Sequence, residues 1–222
     1  MRRLEYRRAR RRAPMRMIAA AFIAVVCAPA SFAQDRPAST MEERILEELN
    51  LARTRPGRYV EVLRDYRAFI RGDLLERPGE IPVMLREGVR AVDEAIAFLE
   101  RQKPLAPLSI SRGLSLAAAD HVRDQGKTGR TGHTGSDRST MTARAERYGS
   151  WRKTIGENIA YGAGSARDVV IQLVVDDGVA SRGHRANIFN PGFLVVGLAF
   201  GDHPEFRTIC VQDFAGGFDD GK

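Results

Sequence analysis

Two apolar segments near the C-terminus constrain the fold of this chain more than any other feature. FLVVGLAF (residues 193–200) and TICVQDF (208–214) are apolar, or nearly so, at both alternating sets of positions, and GDHPE supplies a turn between them. A strand with one face in water would alternate apolar and polar residues, so we expect both faces of these strands to be covered. The sequence therefore predicts an α+β fold, an α-β-α sandwich whose small, mainly antiparallel central sheet has helices on both faces.

Five other segments have the periodicity or the end signals of helices. We expect Ser39 to cap the first one, with Glu42 completing a capping box. We predict a third strand over IGENIAYG (155–162) and irregular structure over residues 71–84. The predicted helices cover about residues 41–54, 56–70, 87–102, 111–125 and 165–178.

The first 33 residues have the composition of an export signal. They hold eight arginines and one acid, so they account for the whole formal net charge of +7, and an apolar run over residues 18–28 follows the arginines. Ser31 and Ala33 fit cleavage after Ala33, and Met15 is an alternative start. We therefore predict a signal peptide over 1–33, a linker over 34–40, and a secreted protein that meets a membrane only through its signal.

Several classes of function are disfavoured. The sequence contains no HExxH, GxSxG, CxxC or EF-hand pattern. Acidic and basic residues balance beyond residue 33 and form no basic stripe, so no nucleic acid is expected as a partner. Cys27 would leave with the signal, and Cys210 then stands alone in an apolar strand, where a buried and unreactive thiol is expected.

The residues able to carry chemistry are dispersed along the chain. His133 lies in a glycine-rich segment, Glu157 in GEN, Asp176 and Asp177 at a predicted helix end, and His184 in SRGHRANIF. Two imidazoles and two carboxylates form a credible ligand set for one divalent ion, zinc above all, if folding brings them together. Sequence spacing does not show whether they converge.

Four motifs in order resemble the CAP superfamily, which comprises the cysteine-rich secretory, antigen 5 and pathogenesis-related 1 proteins, in its bacterial secreted branch. They are GHTGSD, GENIAYG, DDGVASRGHRANIFNP and CVQDFAGGF, and the resemblance covers residues 45–218. It implies one domain over 41–218, a tail over 219–222, an α-β-α sandwich, and a cleft with a His, Glu, Glu, His tetrad that binds zinc in some members.

The tetrad carries over to this chain with one departure. His133, Glu157 and His184 match the first histidine, the glutamate of GEN and the last histidine. An aspartate replaces the second glutamate: the family's register selects Asp176, whereas helical geometry favours Asp177. The predicted metal and cleft residues are therefore His133, Glu157, Asp176 and His184.

The leading hypothesis is a secreted protein that acts by binding rather than by turnover. The resemblance implies a lipid, sterol, glycan or protein ligand, which these residues do not identify. Gly183 allows a tight turn that presents His184, while Arg185 and Asn187 anchor that segment. One alternative is a zinc-dependent extracellular hydrolase. Another treats the tetrad as a structural polar network between sheet and helices.

Overall fold

The computed structural model describes residues 39–221. The predicted signal peptide and residues 34–38 of the predicted linker lie outside the described residues. Within residues 39–221, no helix combines the length and the apolar character that crossing a membrane requires.

Helices and short strands alternate along the described chain. The helices are α1 (Met41–Thr54), α2 (Pro56–Arg67), α3 (Val89–Arg101), α4 (Arg112–Thr128), α5 (Met141–Ala145), α6 (Ala166–Val175) and α7 (Gly183–Ile188). The strands are β1 (Ile70–Arg71), β2 (Leu74–Leu75), β3 (Val83–Met84), β4 (Ser109–Ile110), β5 (Gly149–Trp151), β6 (Ile155–Tyr161), β7 (Val195–His203), β8 (Arg207–Ala215) and β9 (Phe218–Asp220).

The central sheet confirms the predicted fold class. Its strands run in the order β4-β7-β8-β6, with antiparallel pairing except between β4 and β7. Alternate residues of β8 face opposite helical layers: Val211 packs in a cluster with Val122 of α4, whereas Phe214 joins the larger core formed with α1, α2, α3 and α6. Side chains of β8 therefore pack against helices on both faces of the sheet. Both faces are buried, as the unbroken apolar pattern predicted.

The bounds predicted for the first helix are confirmed, but its capping residue is wrong by one position, and the second helix is three residues shorter than predicted. Thr40, not Ser39, caps α1: its hydroxyl accepts from the amide of Glu43 at 3.2 Å, and the Glu43 carboxylate accepts from the Thr40 amide at 2.9 Å. Both residue pairs have the capping-box spacing, so spacing alone did not separate them. The second helix ends at Arg67, and Ile70 begins β1 instead.

The segment predicted to be irregular, residues 71–84, forms most of a three-stranded antiparallel sheet. Ile70 pairs with Leu75 and Leu75 pairs with Val83, in the order β1-β2-β3. Gly72 turns the chain between the first two strands with φ 62°, a conformation that glycine adopts without strain. Strands of two residues contain no alternation, which is why the pattern was not visible in the sequence.

Three further boundaries differ from the predictions. The helix predicted to end at Gly178 ends at Val175. His184 lies in the short helix α7 rather than in a loop. Strand β9 extends into the predicted tail, where Asp219 and Asp220 pair with Ser150 and Gly149 of β5.

Candidate functional site

His133 and Glu157 form a hydrogen-bonded pair on the side of the sheet covered by α4 and α5. Glu157 lies in β6 and is buried, and its Oε1 accepts from Nδ1 of His133 at 2.8 Å. Its Oε2 accepts from the guanidinium of Arg144 at 2.6 Å. Thr140 caps α5 and so fixes the helix that carries Arg144. Arg144 also donates to the carbonyls of His133 and Ser139 at 3.2 and 3.1 Å, so one buried guanidinium holds both the carboxylate and the histidine segment.

The electrostatics of this pair favour the ionised carboxylate. Burial alone raises the pKa of Glu157, but the hydrogen bond from His133 and the charge of Arg144 outweigh burial and lower it. The same hydrogen bond raises the pKa of His133. With both its oxygens engaged, Glu157 orients the imidazole and is not a free general base.

Asp213 belongs to the same buried cluster and was not predicted. It stands opposite Glu157 in the β6–β8 register, is fully buried, and neither of its oxygens has a hydrogen-bond partner in the described part of the chain. Burial, and then the nearby Glu157 charge, raises the pKa of Asp213 well above its ordinary value. The site therefore favours a protonated Asp213 beside an ionised Glu157.

Asp176 and His184 form the second pair, on the side of α6 and α7. Asp176 ends α6 in a left-handed conformation with φ 57°, which aspartate tolerates better than most residues. Its Oδ1 accepts from Nδ1 of His184 at 2.6 Å, and its Oδ2 accepts from the His184 amide at 2.9 Å. One buried carboxylate thus fixes both the start of α7 and the ring of His184.

Asp177 has a different role. Its two oxygens accept from the backbone amides of Arg86 and Glu87 at 2.7 and 2.8 Å, so it anchors the segment before α3. In the structure the carboxylate that contacts His184 is that of Asp176.

The two pairs are joined through β6, an edge strand of the central sheet. Glu157 and Asn158 are consecutive and so point to opposite faces. Asn158 donates to the His184 carbonyl at 3.1 Å, and Asn187 donates to the Asn158 side chain and the Glu157 carbonyl at 2.8 and 3.3 Å. Asn187 therefore anchors the α7 segment, as predicted.

Arg185 provides the second predicted anchor. It is buried and donates to the carbonyls of Val174 and Val175 at 2.6 and 2.9 Å. These carbonyls at the C-terminal end of α6 have no partner within the helix, so Arg185 supplies their hydrogen bonds. Its third partner is Glu94 of α3 at 3.0 Å. These bonds hold α7 against α6 and fix the direction of His184.

A cavity of about 320 Å³ adjoins the second pair. Of the four predicted residues, Asp176 and His184 line it, and His133 and Glu157 do not. Its walls come from α6, the end of β6 and the small sheet β1–β3. The segment predicted to be irregular therefore contributes to the cleft.

The donor atoms define how a metal ion would fit. Both histidines direct Nδ1 to a buried carboxylate, and Nε2 of each has no partner within residues 39–221. This is the arrangement in which a carboxylate orients an imidazole that ligates metal through its other nitrogen. Glu157 and Asp176 have all four carboxylate oxygens engaged, and no group of three or more candidate ligands is gathered in the described chain. The described residues thus contain two separate imidazoles, each oriented by its own carboxylate, one pair on each side of β6.

Comparisons of the sequence with known proteins identify a family and a relative. Residues 46–214 match the family model described as CAP, the cysteine-rich secretory protein family. The uncharacterized protein YkwD of Bacillus subtilis (strain 168) is 33% identical over 118 residues, which are 53% of this chain and 43% of YkwD. The chain thus spans less than half the length of that relative.

The solved structures that match include two bacterial proteins. An outer surface protein of Borrelia burgdorferi is 20% identical with a TM-score of 0.43, covering 50% of this chain and 78% of that one. An extracellular protein containing an SCP domain from Bacillus anthracis str. Ames is 19% identical with a TM-score of 0.41, covering 57% and 37%.

Proposed function

We propose that this chain, which belongs to the CAP family of cysteine-rich secretory proteins, is an exported binding protein that takes a ligand or partner in the cleft beside His184. We propose further that His133 and His184 hold a divalent metal ion, zinc above all. The observation that carries the metal part is the pairing of each imidazole, through Nδ1, with a buried carboxylate. A lone surface histidine has no need of such a partner, whereas a ligating one does.

The four residues would have two different roles in metal binding. Nε2 of His133 and of His184 would ligate the ion, while Glu157 and Asp176 would hold the two rings in place. A bound zinc ion would supply a Lewis acid with positions left for a ligand. Arg144 would keep Glu157 in place whether or not the ion is bound.

Export is supported by the N-terminal sequence and by the family. The arginines, the apolar run and the small residues before Gln34 have the order of a signal peptide. The free thiol of Cys210 is buried, and burial raises its pKa to about 12 and keeps it protonated. Such an unreactive thiol is compatible with an oxidising compartment.

Calorimetric titration of the processed protein with zinc chloride tests the metal part. The expected result is uptake of about one ion, abolished in the His133→Ala, His184→Ala double variant. Each single variant should also lose most of the affinity if one ion is shared.

His203→Gln is the matched control. His203 is buried and uses both nitrogens: Nδ1 accepts from the amides of Glu205 and Phe206, and Nε2 lies 3.1 Å from the Arg130 carbonyl. Zinc uptake should therefore be unchanged in that variant, provided circular dichroism shows it to be folded. No uptake by the wild type, or equal uptake by the double variant, would reject the metal site.

A further inference from the structure

The outer edge of β6 presents unpaired backbone groups to the cleft. Hydrogen bonds from the Gly162 amide to the Thr208 carbonyl and from the Gly216 amide to the Thr154 carbonyl fix the phase of the β6–β8 ladder. In an antiparallel pair the intervening odd-numbered residues then direct their amide and carbonyl groups away from the partner strand. Residues 155, 157, 159 and 161 therefore face the free edge.

Side chains bind the free backbone carbonyls on either side of Ile159, but none binds the backbone groups of Ile159 itself. The Glu157 carbonyl accepts from Asn187 at 3.3 Å, and the Tyr161 carbonyl accepts from Gln172 at 3.2 Å. The amide and carbonyl of Ile159 have no hydrogen-bond partner within residues 39–221, although only 7% of the residue is exposed. Because these two groups lie on a free strand edge at the wall of a cavity, they are available to a partner that enters the cavity.

The cavity that Ile159 lines has a second free strand edge in its wall. Ile159 and Tyr161 line it from β6, and Val83 and Met84 line it from β3. The Leu85 amide donates to the carbonyl of Asp73, which stands opposite it across β2 and β3. The neighbouring residue, Met84, therefore directs its amide and carbonyl away from β2, toward the free edge of β3. The side chains of Val83 and Met84 are 51% and 70% exposed.

We propose that an extended peptide segment of a partner protein binds in this cavity and adds a strand to β6 at Ile159, next to His184. The proposal rests on the proposed cleft-binding function and names its ligand class. An acyl chain or a sterol ring would fill apolar space but would leave the Ile159 amide and carbonyl unpaired. A peptide in extended conformation supplies one acceptor and one donor at the spacing of that rung.

The walls indicate the side chains such a peptide would carry. Leu85, Ile171 and Val175 line the cavity together with the two exposed β3 residues. Two charged pairs at the wall bind each other, since Arg77 binds Asp168 at 2.7 Å and His184 binds Asp176. The peptide should therefore present mainly apolar, β-branched residues to the cavity, and Nε2 of His184 is one polar atom on the lining that could bind a peptide group.

Nuclear magnetic resonance of the ¹⁵N-labelled processed protein tests the proposal, with acetyl-Thr-Val-Thr-Val-Thr-amide as the probe. The Ile159 amide should shift downfield and exchange with solvent about tenfold more slowly in the presence of the peptide. The Phe200 amide of β7, which is separated from β6 by β8, already donates to Glu42, so it should not change.

Peptides N-methylated at the odd or at the even residues add a register test. In a strand only one set of amides faces the ladder, so one analogue should lose binding and the other should keep it. Val83→Asp should weaken binding about tenfold by removing apolar contact. Ile110→Asp, at a similarly exposed position on the far edge strand β4, should have no effect.

Three outcomes would overturn the inference: no peptide binding, binding that leaves the Ile159 amide unchanged, or equal binding of both methylated analogues. A zinc titration on the same sample separates this failure from failure of the proposed function. Zinc uptake without peptide binding removes the peptide proposal alone, and loss of both removes the proposed function as well.

Discussion

Asp213 stands directly across from Glu157 on the neighbouring strand, and their surroundings shift the pKa values of the two carboxyl groups in opposite directions. Glu157 is ionised because Arg144 and His133 bind its oxygens, whereas Asp213 is buried without a counter-charge of its own. Two adjacent carboxylates in an apolar environment cannot both ionise without a large cost in free energy, so the proton on Asp213 stabilises the folded site.

The first prediction concerns pH. Asp213 has a folded-state pKa above its unfolded value of about 3.9. Its stabilising effect is therefore complete below that unfolded value and is lost as pH rises toward the folded pKa. The free energy of unfolding should fall over that range in the wild type and vary less with pH in Asp213→Asn. Urea unfolding at several pH values measures this, with the exposed Asp219→Asn as control. An identical pH profile for Asp213→Asn would contradict the prediction.

Arg144 should be among the most sensitive positions of the domain. Arg144→Met leaves the buried Glu157 charge without its guanidinium, which costs about 3–5 kcal/mol in comparable pairs. Arg147→Met removes the exposed contacts to Asp120 and Asp137 and should cost less than about 1 kcal/mol. Equilibrium unfolding of the two variants, three residues apart, gives the comparison. Equal losses would show that burial of the pair is not what stabilises it.

The pKa of His133 should lie above that of a free imidazole. The hydrogen bond to Glu157 raises its pKa, so protonated His133 adds stability that is present at low pH and lost as pH rises through the folded pKa. In Glu157→Gln the His133 pKa should fall, because the amide removes the negative charge. Proton resonances of the imidazole ring followed against pH give both values. A His133 pKa that does not move in the variant would mean that Glu157 is not its partner in solution.

Asp176 and Asp177 should differ in their effect on zinc. Asp176→Asn removes the carboxylate that orients His184 and should weaken zinc binding by about 10- to 100-fold. Asp177→Asn changes only the contacts to the Arg86 and Glu87 amides and should leave the affinity nearly unchanged. Competition with a zinc-binding dye measures both variants. Equal losses would place the metal away from His184.

The sequence predicted the sheet well because full burial leaves a strong pattern. Strands β7 and β8 have apolar residues on both faces, and this alone required two helical layers. The small β1–β3 sheet was missed since strands of two residues leave no period to detect. Asp213 was missed for a related reason: one aspartate in an apolar strand is a weak signal until the register places it opposite Glu157.

The individual site residues could be predicted, but their grouping could not. Glu157 and Asn158 are adjacent in sequence, yet their side chains point to opposite layers. The tertiary structure therefore forms two histidine–carboxylate pairs joined by Asn158 and Asn187, a grouping that no spacing rule expresses. Arg144, which holds the first pair, lies in a short helix with no motif of its own.

The left-handed backbone of Asp176 gives a reason for the short acid at this position. From this left-handed position at the end of α6, the short aspartate side chain reaches both the His184 amide and the His184 ring. A glutamate, with its extra methylene, would have to fold back to make the same two bonds. The aspartate is thus matched to the local chain path.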